Sequence, residues 1–415
     1  AGADHDPFST ARRRVANVRR QMRRTRLAML AACVALAGCG GAGAHRVLPV
    51  VGVDANSASP PSLGIPTLAT KNTTRVAGAD PVADAAGVAL AVYPSSAPGT
   101  HPPAVVLAPT DDWQAALAAS VLMAPPIRAP LLLSGAGTLP SATAQALSQL
   151  APTGSAGGAQ VIRVGDVPSP RGLRATSIAG GDPYTLTAAI DRYASAAAGK
   201  ASADVVIASA DQPAYAMPAA GWAAESGDPI LFVGHSGIPQ ATRQALLSHQ
   251  GPHIYVLGPP SVIPNSVLAA LRKYGRVARV GATGAAANSV AFAAYRDPAC
   301  TYLQPCVHVP GSFGWAMRSP GHGYVLINAA RPLDAAAAAP LSSSGDYGPQ
   351  LLVDSPDTLP SSVLNFFLNY ATPGYTQEGP TAAVYNHGWV IGDQNAISVA
   401  VQADVDNLLE VVPQK

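Results

Sequence analysis

The residues whose types could carry chemistry are few and scattered. Cys300, Cys306 and His308 lie close together in the chain; a thiol and an imidazole can share a metal, whereas two thiols can close a bridge. His249 and His253 are four positions apart and would share one helix face, but Gly251-Pro252 between them interrupts any helix, so both are expected at the surface. Gly234-His235-Ser236-Gly237 falls one residue short of the Gly-x-Ser-x-Gly elbow that presents a nucleophilic serine, and reads as a loop. No phosphate loop, dinucleotide glycine fingerprint or His-Glu-x-x-His appears in the sequence. Catalytic residues, a metal and a cofactor are therefore not expected. Phe313, Trp315, Tyr347, Tyr385 and Trp389 make the last third richer in aromatics, which suits either core packing or a sugar-stacking surface.

Cys39 offers a different chemistry. From Met22 the chain has a basic start (Arg23, Arg24, Arg26), an apolar run over 27–37, and then Gly38-Cys39. The run is too short to cross a ~30 Å hydrocarbon core as a helix, but it fits a signal peptide. Leu36-Ala37-Gly38-Cys39 resembles the lipobox of bacterial lipoproteins, whose cysteine is acylated with palmitate-like chains after cleavage just before it. The resemblance implies a signal peptide over 1–38, with translation starting at Met22, and a lipid anchor at Cys39 on the extracytoplasmic face of the cell membrane. Exported chains keep disulfides, so Cys300 and Cys306 are expected to bridge each other in preference to a Cys306–His308 metal site.

The 415 residues exceed what one core usually supports, and 48% of them are apolar. Eight arginines precede Cys39; from Cys39 onward there are 18 basic and 22 acidic residues, a net charge of −4. That sign lacks the basic footprint that neutralises phosphates, so nucleic acid is not an expected partner.

The elements that must position any site repeat three times. Residues 39–74 are rich in Gly, Ser, Pro, Thr and Asn without an apolar period, and read as a flexible tether. Beyond it, Ala104-Val105-Val106-Leu107-Ala108, Asp204-Val205-Val206-Ile207-Ala208 and Tyr324-Val325-Leu326-Ile327-Asn328 have the uninterrupted aliphatic character of buried parallel strands. Alanine-rich helical stretches follow at 113–123, 214–225 and 333–341. Proline then opens a second apolar run: Pro130-Leu131-Leu132-Leu133, Pro229-Ile230-Leu231-Phe232 and Pro349-Gln350-Leu351-Leu352. Pro140, Pro239 and Pro360 recur next, each suited to a first helical turn, and a third strand ends at Gly165, Gly258 or Gly392. Block starts correspond as Arg75-Val-Ala-Gly78-Ala-Asp80, Ser177-Ile-Ala-Gly180-Gly-Asp182 and Arg279-Val-Gly-Ala-Thr-Gly284. Strand and helix alternating in this way predict right-handed crossovers and a parallel sheet covered on both faces, in blocks 75–175, 176–278 and 279–415.

With these residues the chain resembles the cell wall-binding repeat 2 family, whose Arg-x-x-Gly-x-Asp opening, Pro-Ile-Leu-Leu strand and Leu-Pro turn recur in tandem triplets. The helix-start aspartate of that family remains as Asp334, with Ala115 and Tyr215 in its place elsewhere. The resemblance implies an α/β fold of three Rossmann-like or toprim-like modules, and a non-catalytic protein held on an anionic cell-wall polymer. It associates binding with Pro130, Leu131, Leu132 and Leu133, with Pro229, Ile230 and Leu231, and with Pro349, Leu351 and Leu352. Two alternatives predict other features: a transporter's solute-binding lipoprotein would have two lobes around one hinge cleft, and an envelope hydrolase would converge polar residues in one deep pocket.

Overall fold

The computed structural model describes residues 67–155, 157–298, 313–317, 320–375 and 384–413. In chain order the first stretch has β1 (Thr67–Ala69), β2 (Thr73–Val76), α1 (Pro81–Val92), β3 (Val105–Pro109), α2 (Trp113–Ala119) with a 3-10 turn at Ser120–Met123, β4 (Leu131–Ser134), α3 (Ser141–Leu150) and β5 (Val161–Val164). The second has β6 (Ala175–Ile178), α4 (Pro183–Ala198), β7 (Asp204–Ser209), α5 (Pro213–Ala216), α6 (Pro218–Ser226), β8 (Ile230–Val233), α7 (Gln240–Ser248), β9 (His253–Leu257) and α8 (Asn265–Leu271). The third has β10 (Arg276–Val280), α9 (Ala285–Ala294), β11 (Gly323–Asn328), α10 (Pro332–Ser342), β12 (Gln350–Val353), α11 (Ser361–Phe366), β13 (Gly374–Tyr375), β14 (His387–Ile391), α12 (Val399–Leu408) and β15 (Val412–Pro413).

Three sheets share one strand order: β4-β3-β5-β6, β8-β7-β9-β10 and β12-β11-β14-β2, the last extended at its edge by β1. Every pairing in them is parallel except β1 with β2. The fourth strand of each sheet is the opening strand of the next block. β6 adds to the first sheet, β10 adds to the second, and β2, which opens the first block, lies beside β14 in the third with Val76 opposite Ile391. The boundaries expected at 175/176 and 278/279 therefore fall inside β6 and β10, and the strand at 75 belongs to the third sheet. Parallel pairing needs a crossover connection, supplied by 165–174 between β5 and β6 and by the segment holding α8 between β9 and β10.

Part of the expected tether is folded. β1 and β2 occupy 67–76, with Asn72 and Thr73 buried; short threonine-bearing strands carry too little apolar period to be told from a linker. The rest of the tether, and the whole signal segment, lie outside the described residues.

Strand alternation divides the core. Val206 and Ala208 of β7, Ile230 and Phe232 of β8, and Tyr255 and Leu257 of β9 face a core continuous with the other modules; Val205, Ile207, Leu231, Ile254 and Val256 face a separate outer cluster. At the centre, α10 packs against α1, α2, α6 and the 3-10 turn. Small side chains make that approach possible: a Cβ at Gly221 of α6 would stand 2.6 Å from Ser342 Oγ of α10. Pro140, Pro239 and Pro360 are the capping residues just before α3, α7 and α11, not members of the first turn, each with φ near −60° and extended ψ.

Candidate functional site

An open groove of about 540 Å³ lies between α4 and α7, which both pack against the edge strand β8. Local sequence dictates its walls. Asp182 and Thr185 form a reciprocal capping box that starts α4, and Gly199 in the left-handed region (φ 72°) ends it. Arg192, Ser195 and Lys200 line one side, Gln244 and Ser248 the other. Beneath lies a buried ion pair: His249 Nε2 donates to Asp191 Oδ2 (2.9 Å), and Nδ1 faces the Ser202 carbonyl (2.8 Å). Burial favours a neutral ring, but the hydrogen bond and charge of Asp191, the Ser202 carbonyl and the charge of Asp228 outweigh it and push His249 above its ordinary value. With both ring nitrogens facing acceptors, the imidazolium holds α7 to α4. Two solvent-facing cations beside hydroxyl and amide groups suit a sugar bearing negative charge.

The joints between modules differ. Arg279 donates to the carbonyls of Gly258 (2.7 Å) and Ile263 (2.8 Å), and Arg75 to those of Gly392 (2.9 Å) and Asp393 (3.0 Å) and to Gln402 Oε1 (2.8 Å). The opening arginine thus clamps the turn that ends the neighbouring strand. Where Ser177 replaces it, Arg163 reaches from β5 to Ser177 Oγ (3.0 Å) and the Val167 carbonyl (2.8 Å). Where the third module meets the first, Arg331 Nη2 donates to Asp84 Oδ2 (2.9 Å), and its Nε lies 2.5 Å from Asp334 Oδ2. Asp84 Oδ1 also accepts the Gly78 N–H (2.8 Å). Both carboxyls are fully buried. Burial and the charge of Asp334 raise Asp84 to about 8 against the pull of Arg331, and burial raises Asp334 to about 6 against the same pull. Above this joint lies a cavity of about 440 Å³ walled by Asp80, Thr110, Asp111, Trp113, Arg331 and Leu333.

Residues 177–268 match the Cell wall binding domain 2 (CWB2) family model. That CWB2 stretch runs from within β6 into α8 and contains the groove. Among solved structures, Cwp8 from Clostridium difficile aligns with a TM-score of 0.60 at 16% identity, over 82% of this chain and 53% of that chain. Cwp6 from Clostridium difficile aligns with a TM-score of 0.60 at 17% identity, over 79% of this chain and 47% of that chain. This chain spans about half the length of either, and the likeness is one of fold. No curated protein matches the sequence. The CWB2 match points to a cell-wall-binding protein at the cell surface. Among the described residues, no helix is long and apolar enough to cross a membrane.

The residues expected to bind in these CWB2-like modules are all interior. Pro130, Pro229 and Pro349 are buried, and so are Leu131, Leu132, Leu133, Ile230, Leu231, Leu351 and Leu352, at 2% exposure or less. β4, β8 and β12 stand at the edges of their sheets, yet both faces are covered and these side chains have no free surface, so direct contact with a polymer is not open to them. Cys39, Cys300, Cys306 and His308 lie outside the described residues, and among the described residues no cluster of metal-ligand types occurs. His249 is buried, contrary to its expected surface position. Its partner Asp191 lies 58 residues earlier, where no spacing rule reaches. His253 is half-exposed beside Asp204. Gly234 and Gly237 close a tight turn on each other, with the His235 N–H bonded to Asp211. Phe313 and Trp315 are buried against Trp222, whereas Tyr385 is exposed. Arg192, Lys200 and Trp113 carried no signal in the sequence beyond their own side-chain chemistry.

Proposed function

We propose that this chain is a non-catalytic, lipid-anchored protein of the cell envelope whose CWB2-like body binds an anionic wall glycopolymer through the α4/α7 groove. The observation that carries the reading is the pairing of Arg192 and Lys200 on a preformed groove within the segment matched by the CWB2 model. Guanidinium and ammonium groups bind phosphate or carboxylate units, while Ser195, Gln244 and Ser248 supply hydrogen bonds to sugar hydroxyls. Cys39 supplies the lipid anchor in this reading, and Cys300 with Cys306 a disulfide.

The test is retention of the body, residues 42–415, on purified cell-wall polymer. Wild-type protein is expected to be retained at low salt and released as ionic strength rises. The Arg192→Ala/Lys200→Ala double variant is expected to lose at least about tenfold in affinity, as removal of two charged contacts implies. Flow-through of the wild type, or cleavage of the polymer, would overturn the reading. The solute-binding alternative required two lobes and one hinge cleft, and three sheets of equal strand order do not favour it.

A further inference from the structure

The cavity at the joint between the third and first modules differs in chemistry from the groove, and we infer that it is a subsite for a non-anionic pyranose, best filled by an amino sugar. The inference rests on the glycopolymer reading and adds to it a second contact with a different part of the polymer. The cavity opens beyond the carboxyl ends of β2, β3 and β11, where ligands of parallel α/β sheets bind. Its walls come from two modules: Asp80, Thr110, Asp111 and Trp113 from the first, Arg331 and Leu333 from the third.

Trp113 is the recognition element. It opens α2 at the position held by Pro213 in α5 and Pro332 in α10. Its ring is held edge-on by Phe232 of the second module, with centroids 5.5 Å apart, so it is fixed in orientation while remaining half-exposed to the cavity. A fixed indole bordered by Pro81, Pro332 and Leu333 offers the apolar, aromatic wall on which a pyranose face stacks.

The polar groups select against an anion. Asp80 and Asp111 are exposed on the rim. Asp80 uses one oxygen to cap α1 through the Ala83 N–H (2.9 Å), leaving the other for a ligand. Arg331 is already engaged by Asp84 and Asp334, two buried carboxyls on one guanidinium. With Arg331 engaged by these carboxyls, the exposed Asp80 and Asp111 leave the rim negative, which attracts ammonium and hydroxyl donors and repels phosphate or carboxylate.

Binding of a glucosamine tetramer with free amines, measured by calorimetry on the 42–415 protein, tests the assignment. A hyaluronan tetramer serves as the anionic control. The glucosamine tetramer is expected to bind, and Trp113→Ala and Asp111→Asn are each expected to weaken it at least tenfold. Asp111 is exposed and bonded to no core group, so its variant stays readable even if Trp113→Ala disturbs folding. The Arg192→Ala/Lys200→Ala variant is expected to keep tetramer binding. No binding by wild type, equal binding by Asp111→Asn, or preference for hyaluronan would overturn the subsite. Retention on whole wall polymer reports separately on the groove, so the two readings can fail independently.

Discussion

The joint between the third and first modules and the joint between the second and third hold equivalent elements together by different means. At the latter, Tyr215 Oη accepts the Gly284 N–H (3.0 Å), and Asn288 Nδ2 donates to the Tyr215 carbonyl (3.3 Å). At the former, Asp334 stands where Tyr215 does and Asp84 where Asn288 does, with Arg331 between them. The second and third modules are joined along the chain. The third and first are joined by elements more than 240 residues apart, and there the contact is Arg331 bridging two buried carboxyls. A buried ion pair adds little net stability, but losing one partner is costly, so substitution of Arg331 is expected to be felt more at this joint than loss of a neutral hydrogen bond at the other.

The comparison breaks most sharply at Arg331. Arg331→Ala leaves two buried carboxyls unpaired and is expected to cost about 3–5 kcal/mol in urea unfolding. Similar stability in variant and wild type would mean that the triad does not hold the joint. The pH profile comes next. Asp84 and Asp334 have folded values of about 8 and about 6, above those of the unfolded chain, so their stabilisation is complete at low pH and is lost as pH rises through those values. The melting temperature should fall across this range, and Asp84→Asn should remove the upper part of the fall. His249 is also raised, so it stabilises below about 6.5 and its contribution fades as pH rises past its folded value; His249→Gln should flatten that portion. Tyr215→Phe deletes one hydrogen bond at the uncharged joint and keeps the ring, for an expected loss of about 0.5–1.5 kcal/mol. An effect as large as that of Arg331→Ala would erase the contrast.

Much of this architecture is visible in the residues themselves. Buried strands read as aliphatic runs, and the helices at 113–123, 214–225 and 333–341 match those observed to within a residue or two. The partner of each opening strand is not visible. Arg75-Val76 and Ser177-Ile178 have strand character, but local pattern cannot say which sheet accepts them, and a repeat invites pairing within its own block. The sites were less legible. Arg192 and Lys200 face one groove only because α4 and α7 pack side by side, and Trp113 meets Arg331 only through closure of the third sheet by β2. The proline-led strands drew attention because they repeat, yet their repetition reflects a core that each module must build anew.

The most direct test of the closed arrangement is native-state hydrogen exchange at β2. The amides that pair β2 with β14 are expected to exchange as slowly as those pairing β11 with β14, and Arg331→Ala should speed β2 and β14 together. Fast exchange at 73–76 beside a protected β14 would contradict the account, because it would mean that the third sheet stands without the strand that opens the first block.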